Sequence, residues 1–192
     1  TDYLTTEDAS KLVMMPPCSL GDGSTISYCE LLDTHHTSSG GKEGEPLSDS
    51  THFVSHACKY DFRTLVATLR EWVDSDESPR DAEVTCSFWF NCSAINQHHA
   101  AAGAFTGQWF DFFTDSVIKI GHTLIVTMPW NAPVNLTRAW CVYEIFETAR
   151  AEATSTFLMP PSDREDMLRV LVEEFDSLAK VVASVALQDA EG

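Results

Sequence analysis

From Thr51 onward, short apolar runs alternate with longer stretches whose apolar residues recur at helical spacing, and this alternation restricts the fold more than any other feature. His122-Thr123-Leu124-Ile125-Val126-Thr127-Met128 is the clearest strand. Its nearly unbroken apolar character suits a central parallel strand covered on both faces, since a half-solvated strand would alternate. His52-Phe53-Val54-Ser55-His56 predicts a shorter strand before it. Val84 to Phe90 predicts a β-branched and aromatic strand ending at turn-prone Asn91, and Ser155 to Met159 a fourth, stopped by Pro160-Pro161.

Helical periodicity fills the intervals. Phe62, Leu65, Val66, Leu69, Trp72 and Val73 fall on one such stretch from Asp61 to Val73, and Trp109, Phe110, Phe113, Val117 and Ile120 on the inward face of another. A polar, small-residue stretch from Cys92 to Gly107 separates the second strand from that helix. Asn135 or Thr137 is placed to cap a helix reaching about Ala153, and Ser162 to cap a last one with Met167, Leu168, Leu171, Val172, Phe175 and Leu178 inward. Val181 to Leu187 predicts a weaker fifth strand. The order implies a flavodoxin-like, doubly wound α/β fold, with a parallel sheet of four to five strands and helices on both faces. Residues 1–50, with turn-forming Gly21-Asp22-Gly23 and the loop Gly40-Gly41-Lys42, are predicted as an N-terminal extension and linker to a domain spanning 51–192.

Composition narrows the function classes. Hydrophobic residues make up 44% of the 192 residues and aromatics 10%, which indicates a packed core. A net charge of −17 argues against nucleic acid as a partner, because neutralising phosphates needs a basic face. No apolar run approaches the roughly 18 residues of a membrane helix, and no signal-peptide pattern follows Thr1, so no membrane partner is expected. The six cysteines are scattered rather than arranged as a disulfide scaffold, which predicts reduced thiols and a cytoplasmic location.

In a doubly wound sheet, ligands bind beyond the carboxyl ends of the strands. The residues expected there are Ser55 and His56, Asn91 and Cys92, and Trp130 and Asn131. Thr137 to Ile145 forms the helix that follows the third strand, and it brings Trp140, Cys141 and Glu144 together as surface neighbours three and four residues apart. A carboxylate in so apolar a run is costly without a partner or a task. Helical side chains lean toward the N-terminus, so Glu144 can reach the cleft.

Phe53-Val54-Ser55-His56 and Trp140-Cys141-Val142-Tyr143-Glu144 resemble the Toll/interleukin-1 receptor domain, whose first strand is an aromatic-Val/Ile-Ser run and whose third helix opens with Trp-Cys-x-x-Glu. More closely, the chain resembles a divergent group of that family from algae and other unicellular eukaryotes, with His-Phe-Val-Ser-His-Ala near the start. The resemblance covers roughly residues 51 to 190. It departs at Cys58, where the group usually has an aromatic, and in the loop from Asn91 to Gly107. The resemblance implies cleavage of NAD at the nicotinamide–ribose bond, with Glu144 catalytic and NAD or a related nucleotide as substrate rather than cofactor. In that setting Trp130 or Trp140 would stack on a ring, Ser55 or His56 would bond phosphate or ribose oxygens, and Asn91 and Cys141 would line the site. The family also implies self-association, and it includes modules that act by assembly without catalysis.

Other readings compete. Glu144 could pair with Arg138 or Arg150 at the rim. Zinc could draw on His52, His56, Cys58, Cys92, His98 and His99, but residues four apart on a strand lie about 13 Å apart, and no paired ligand motif is present. No metal site is therefore expected. A nucleophilic Cys58 or Cys92 with His56 or His98 has residue types but no spacing signature.

Overall fold

The computed structural model describes residues 3–38, 48–75, 86–102 and 107–190. Strands β1 (His52–Ser55), β2 (Phe88–Trp89), β3 (His122–Val126) and β4 (Thr154–Leu158) form an all-parallel sheet in the order β2-β1-β3-β4. In chain order, the helices are α1 (Thr6–Ala9), α2 (Tyr28–Ser38), α3 (Phe62–Asp74), α4 (Asn91–Ala94), α5 (Gln97–Ala101), α6 (Gly107–Ile120), α7 (Ala139–Arg150) and α8 (Pro161–Ala190). This is the flavodoxin-like, doubly wound α/β class, and its strand order reverses between β1 and β3.

The pleat of β1 decides which side chains meet which helices. Val54 joins Leu65, Leu69 and Trp72 of α3 and Leu124 and Val126 of β3 in one core. Phe53, one residue earlier, points to the other face and packs with Trp89, Phe113 and Val117. Ser55 shares that second face with Phe53, so it is directed at α7 rather than α3. Parallel pairing of Phe53, Val54 and Ser55 with Thr123, Leu124 and Ile125 locks this register. All four residues of β1 are buried, as a central parallel strand covered on both faces requires. Gly121 sits at φ +73° between α6 and β3, a left-handed conformation in which a Cβ would be strained.

Residues 3–38 pack onto the domain. Thr5 and Asp8 form a reciprocal capping box at the start of α1. The chain around it pairs with the loop after β1: Thr6 N–H donates to Tyr60 O at 3.0 Å, Glu7 N–H to Cys58 O at 2.9 Å, and Phe62 N–H to Leu4 O at 2.8 Å. A π-helical turn (Ser10–Met14) and a 3-10 turn (Pro16–Cys18) follow. Gly40-Gly41-Lys42 lies outside the described residues.

Several expectations from sequence need correction. Val181 to Leu187 is not a strand: α8 runs on to Ala190, because no Gly or Pro interrupts the stretch after Pro161. Of the residues expected inward on it, Leu168, Leu171, Val172 and Phe175 are exposed and Met167 is half-buried, while the side chain of Leu178 lies outside what the structure describes. That helix begins at Pro161, a residue suited to the first helical position, before Ser162 could cap it. Neither Asn135 nor Thr137 caps α7; both lie in a 3-10 turn (Val134–Thr137), and Arg138 takes the cap position without a side-chain bond. Strand β2 is shorter than Val84 to Phe90, and residues 84–85 lie outside the described residues. Part of Cys92 to Gly107 folds into α4 and α5. Among the described residues, no helix is long and apolar enough to cross a membrane.

Candidate active site

The residues beyond β1 and β2 meet α6 and α7 around a cavity of about 290 Å³. Its polar lining comes from His56 and Cys58 after β1, Asn91 and Gln97 after β2, and Arg138, Cys141 and Glu144 on or beside α7. Ile95, Ala100, Trp109, Phe113 and Trp140 supply an apolar and aromatic wall. A few polar groups set in apolar walls, beside the point where the strand order reverses, make this cavity the candidate site.

Glu144 is 4% exposed. Ser55 Oγ donates to its Oε2 at 2.6 Å, a contact that follows from the face on which the β1 pleat places Ser55. Among the described residues, no ion pair reaches Glu144; Arg150 pairs instead with Glu147, the neighbouring carboxylate one turn on. Burial therefore governs Glu144 and pushes its carboxyl up to about 8, with the Ser55 bond and the nearby Arg138 charge acting in the opposite direction. Raised this far, the carboxyl holds its proton at neutral pH, and a cation arriving beside it would favour the ionised form.

His56 is also buried, and desolvation lowers its imidazole to about 4, so it is neutral. Its ring packs edge-on against Phe90, and Nδ1 lies 3.5 Å from Val54 O. Among the described residues Nε2 has no partner, and neither has Asn91 Oδ1, although both atoms are buried. Cys141 Sγ donates to His56 O at 3.4 Å, tying α7 to the loop after β1. Trp140 stacks on Phe110 at 5.1 Å and tilts against Phe113 at 5.3 Å, which fixes one wall of the cavity.

The sequence-predicted residues thus divide. Glu144, His56, Asn91, Trp140 and Cys141 line one cavity, and Ser55 stands behind it, in contact with Glu144. Trp130 lies apart: its backbone N–H donates to Asp163 Oδ1 at 2.9 Å and its Nε1 to Asp166 Oδ2 at 2.8 Å, which holds the loop after β3 against the start of α8. Sequence reasoning missed Gln97, Trp109 and Phe113 as cavity residues, and took Arg138 only as an ion-pair partner for Glu144 at the rim. Arg138 was visible as the residue leading into the Trp-Cys-x-x-Glu run.

The N-terminal segment braces both lips. Main-chain bonds to Cys58 and Tyr60 hold one, and on the other His98 Nε2 lies 2.9 Å from Met15 O while Asn96 Nδ2 donates to Thr25 O at 2.8 Å.

Thiol chemistry is disfavoured here. Burial raises the Cys58 thiol and pushes Cys92 and Cys141 up to about 12, far from a reactive thiolate. Among the described residues, no cluster of three His, Cys, Asp or Glu is placed to hold a metal ion. A larger hollow of about 600 Å³ runs along α3, but that helix alone lines it. Comparison with known proteins gives no match among family models, curated proteins or solved structures.

Proposed function

We propose that this chain is a Toll/interleukin-1 receptor-like NAD glycohydrolase or cyclase, breaking the nicotinamide–ribose bond with Glu144 as its catalytic residue. The observation that carries the reading is a buried carboxyl that forms no ion pair among the described residues, held by Ser55 in an aromatic-walled cavity at the carboxyl ends of the strands. A structural carboxylate at that depth would be expected to have a cation, as Glu147 has Arg150. A cavity of about 290 Å³ takes the nicotinamide and its ribose, with the diphosphate passing outward beside Arg138.

When substrate binds, the pyridinium charge ionises Glu144, whose proton passes to solvent. As the C–N bond breaks, its electron pair passes to nicotinamide, which leaves neutral, and positive charge moves to the ribose. The fixed carboxylate stabilises that oxocarbenium in a site with little water. Water then adds at the anomeric carbon and releases a proton, or an internal nucleophile of the same molecule closes a ring. One carboxylate suffices because the leaving group needs no strong general acid, unlike ordinary glycosidases.

Incubation with NAD and measurement of nicotinamide release tests the reading. Turnover by the native chain, abolished in folded Glu144→Gln, supports it; no turnover at any protein concentration overturns it.

A second reading, assembly through copies of the same chain, is favoured by the edge strand β4, where Phe157 is 62% exposed, and by the exposed apolar residues of α8. Assembly and catalysis are compatible.

A further inference from the structure

Two residues on the polar side of the cavity carry hydrogen-bond acceptors that are not used. Asn91 Oδ1 and His56 Nε2 are buried, and neither has a partner among the described residues. The two residues come from different loops, after β2 and after β1, yet both line the cavity that holds Glu144. Leaving a buried polar atom without its hydrogen bond is costly, so two such atoms at one cavity point to a ligand that satisfies them. The chemistry of that ligand follows from the atoms. His56 is neutral, since desolvation lowers its imidazole to about 4. With its Nδ1–H directed to Val54 O, the free Nε2 is the bare, accepting nitrogen. Asn91 presents its carbonyl oxygen, while its side chain also reaches the Cys58 thiol. Both positions therefore call for N–H or O–H donors on the ligand. The facing wall of Trp109, Phe113 and Trp140 calls for a flat ring.

We infer that His56 Nε2 and Asn91 Oδ1 form a donor-reading pair that selects a planar heteroaromatic ring carrying an NH₂ group, and that this ring is nicotinamide, held by its carboxamide. The choice of ring rests on the glycosidase reading of the same cavity; the demand for an NH₂ group does not. One NH₂ group has two hydrogens and can serve both acceptors. Holding the carboxamide fixes the ring about its own axis, and with it the direction of the scissile bond relative to Glu144. His56 and Asn91 are then specificity residues, while Glu144 meets the charge. Adenine also carries an NH₂ group on a flat ring, so the same chemistry has a second source within the dinucleotide.

The test is direct binding to the intact chain, without turnover. Nicotinamide is compared with 3-acetylpyridine, a neutral isostere in which a methyl group replaces the NH₂, so that Arg138 does not bias the comparison. Adenosine is compared with inosine, which lacks the exocyclic amine. Calorimetry or ligand-observed NMR is expected to show nicotinamide bound roughly tenfold or more tighter than 3-acetylpyridine, with adenosine and inosine alike. Asn91→Leu and His56→Phe should each reduce that preference toward unity. Asn91→Asp keeps the shape and the acceptors, and it should retain the preference if the leucine variant proves unstable. Equal binding of nicotinamide and 3-acetylpyridine overturns the inference, even if NAD is cleaved. Discrimination between adenosine and inosine instead overturns the assignment of the ring. A preference for nicotinamide in a chain that never cleaves NAD would leave the inference standing while the glycosidase reading falls.

Discussion

Glu144 and Glu147 lie one turn apart on α7, and among the described residues only Glu147 is paired with a cation. Glu147 accepts from Arg150, whose side chain covers it, and from Thr114 Oγ1 at 3.0 Å, and these bonds hold it below the ordinary carboxylate range. Glu144 faces the cavity with a neutral hydroxyl donor and is raised to about 8. The helix thus separates a structural carboxylate from one kept ready to change charge. That separation does not depend on any particular substrate, and it has consequences for stability that need no assay of activity.

The folded-state value of Glu144 is raised above its unfolded value, so the folded chain retains a proton that the unfolded chain has lost between about 4.5 and 8. Its contribution is fully present below the lower value and is lost as pH rises through the upper one. Thermal unfolding should show stability declining over that window, by at most about 1.4 kcal/mol per pH unit from this group. Glu144→Gln should remove the decline and unfold at a higher temperature than the native chain at pH 8. A less stable glutamine variant at that pH would mean the carboxylate is paired after all.

Histidine acts on the acid side. His52 lies in contact with Trp72 and His122, and burial lowers it to about 4, as it does His56. For both, the unfolded chain binds protons that the folded one refuses between about 6.5 and 4, so their contribution is complete above 6.5 and is lost as pH falls. Between 4.5 and 6.5 these two groups oppose Glu144 and outnumber it. The stability maximum should therefore lie near pH 6 to 7, and a melting-temperature profile checks it. His52→Asn should flatten the acid limb and leave the alkaline limb unchanged.

Strand β3 was legible because a strand covered on both faces needs an apolar residue at nearly every position, and few other structures do. Glu144 was legible because a carboxylate in the Trp140–Ile145 run needs a reason. What sequence could not give was long-range pairing. Trp130 follows a strand end as a ligand-stacking residue would, but its direction is set by Asp163 and Asp166, more than thirty residues later. Asn135 resembles a helix cap, yet it is fully buried and accepts from the Tyr60 hydroxyl at 3.0 Å. The packing of the N-terminal segment did leave a local trace: Thr5 and Asp8 have the spacing of a capping box, a sign that the segment begins a helix.

Ser55 sets the working range of Glu144. Its hydroxyl bonds the charged form and lowers the carboxyl against the larger effect of burial. Ser55→Ala should move the rise of kcat/KM for NAD cleavage to higher pH and reduce the rate at pH 7 by roughly tenfold. A lower rate with an unmoved pH profile would assign Ser55 to packing alone.

The brace on the cavity's second lip gives a different signature. His98→Ala removes the tie to Met15 O and should cost about 1 kcal/mol of stability. Hydrogen exchange should accelerate in residues 91–102, and KM should rise several-fold more than kcat falls, because the lip bearing Asn91 and Gln97 loses its anchor before the chemistry does. Unchanged exchange in that segment would show that the N-terminal residues do not hold the lip.

Self-association is tested at β4. That strand pairs only with β3 among the described residues, and Phe157 on it is 62% exposed. An unpaired edge strand bearing an exposed apolar side chain invites association with another copy, and a charge placed on it is the usual protection against that. Phe157→Lys should abolish concentration-dependent assembly in light scattering or sedimentation while leaving the melting temperature nearly unchanged, since the side chain contributes little to the core. If NAD cleavage rises more than in proportion to protein concentration in the native chain and this rise disappears in the lysine variant, association supports the site. Proportional activity in both would separate assembly from catalysis, and identical sedimentation of the two chains would remove β4 as the contact.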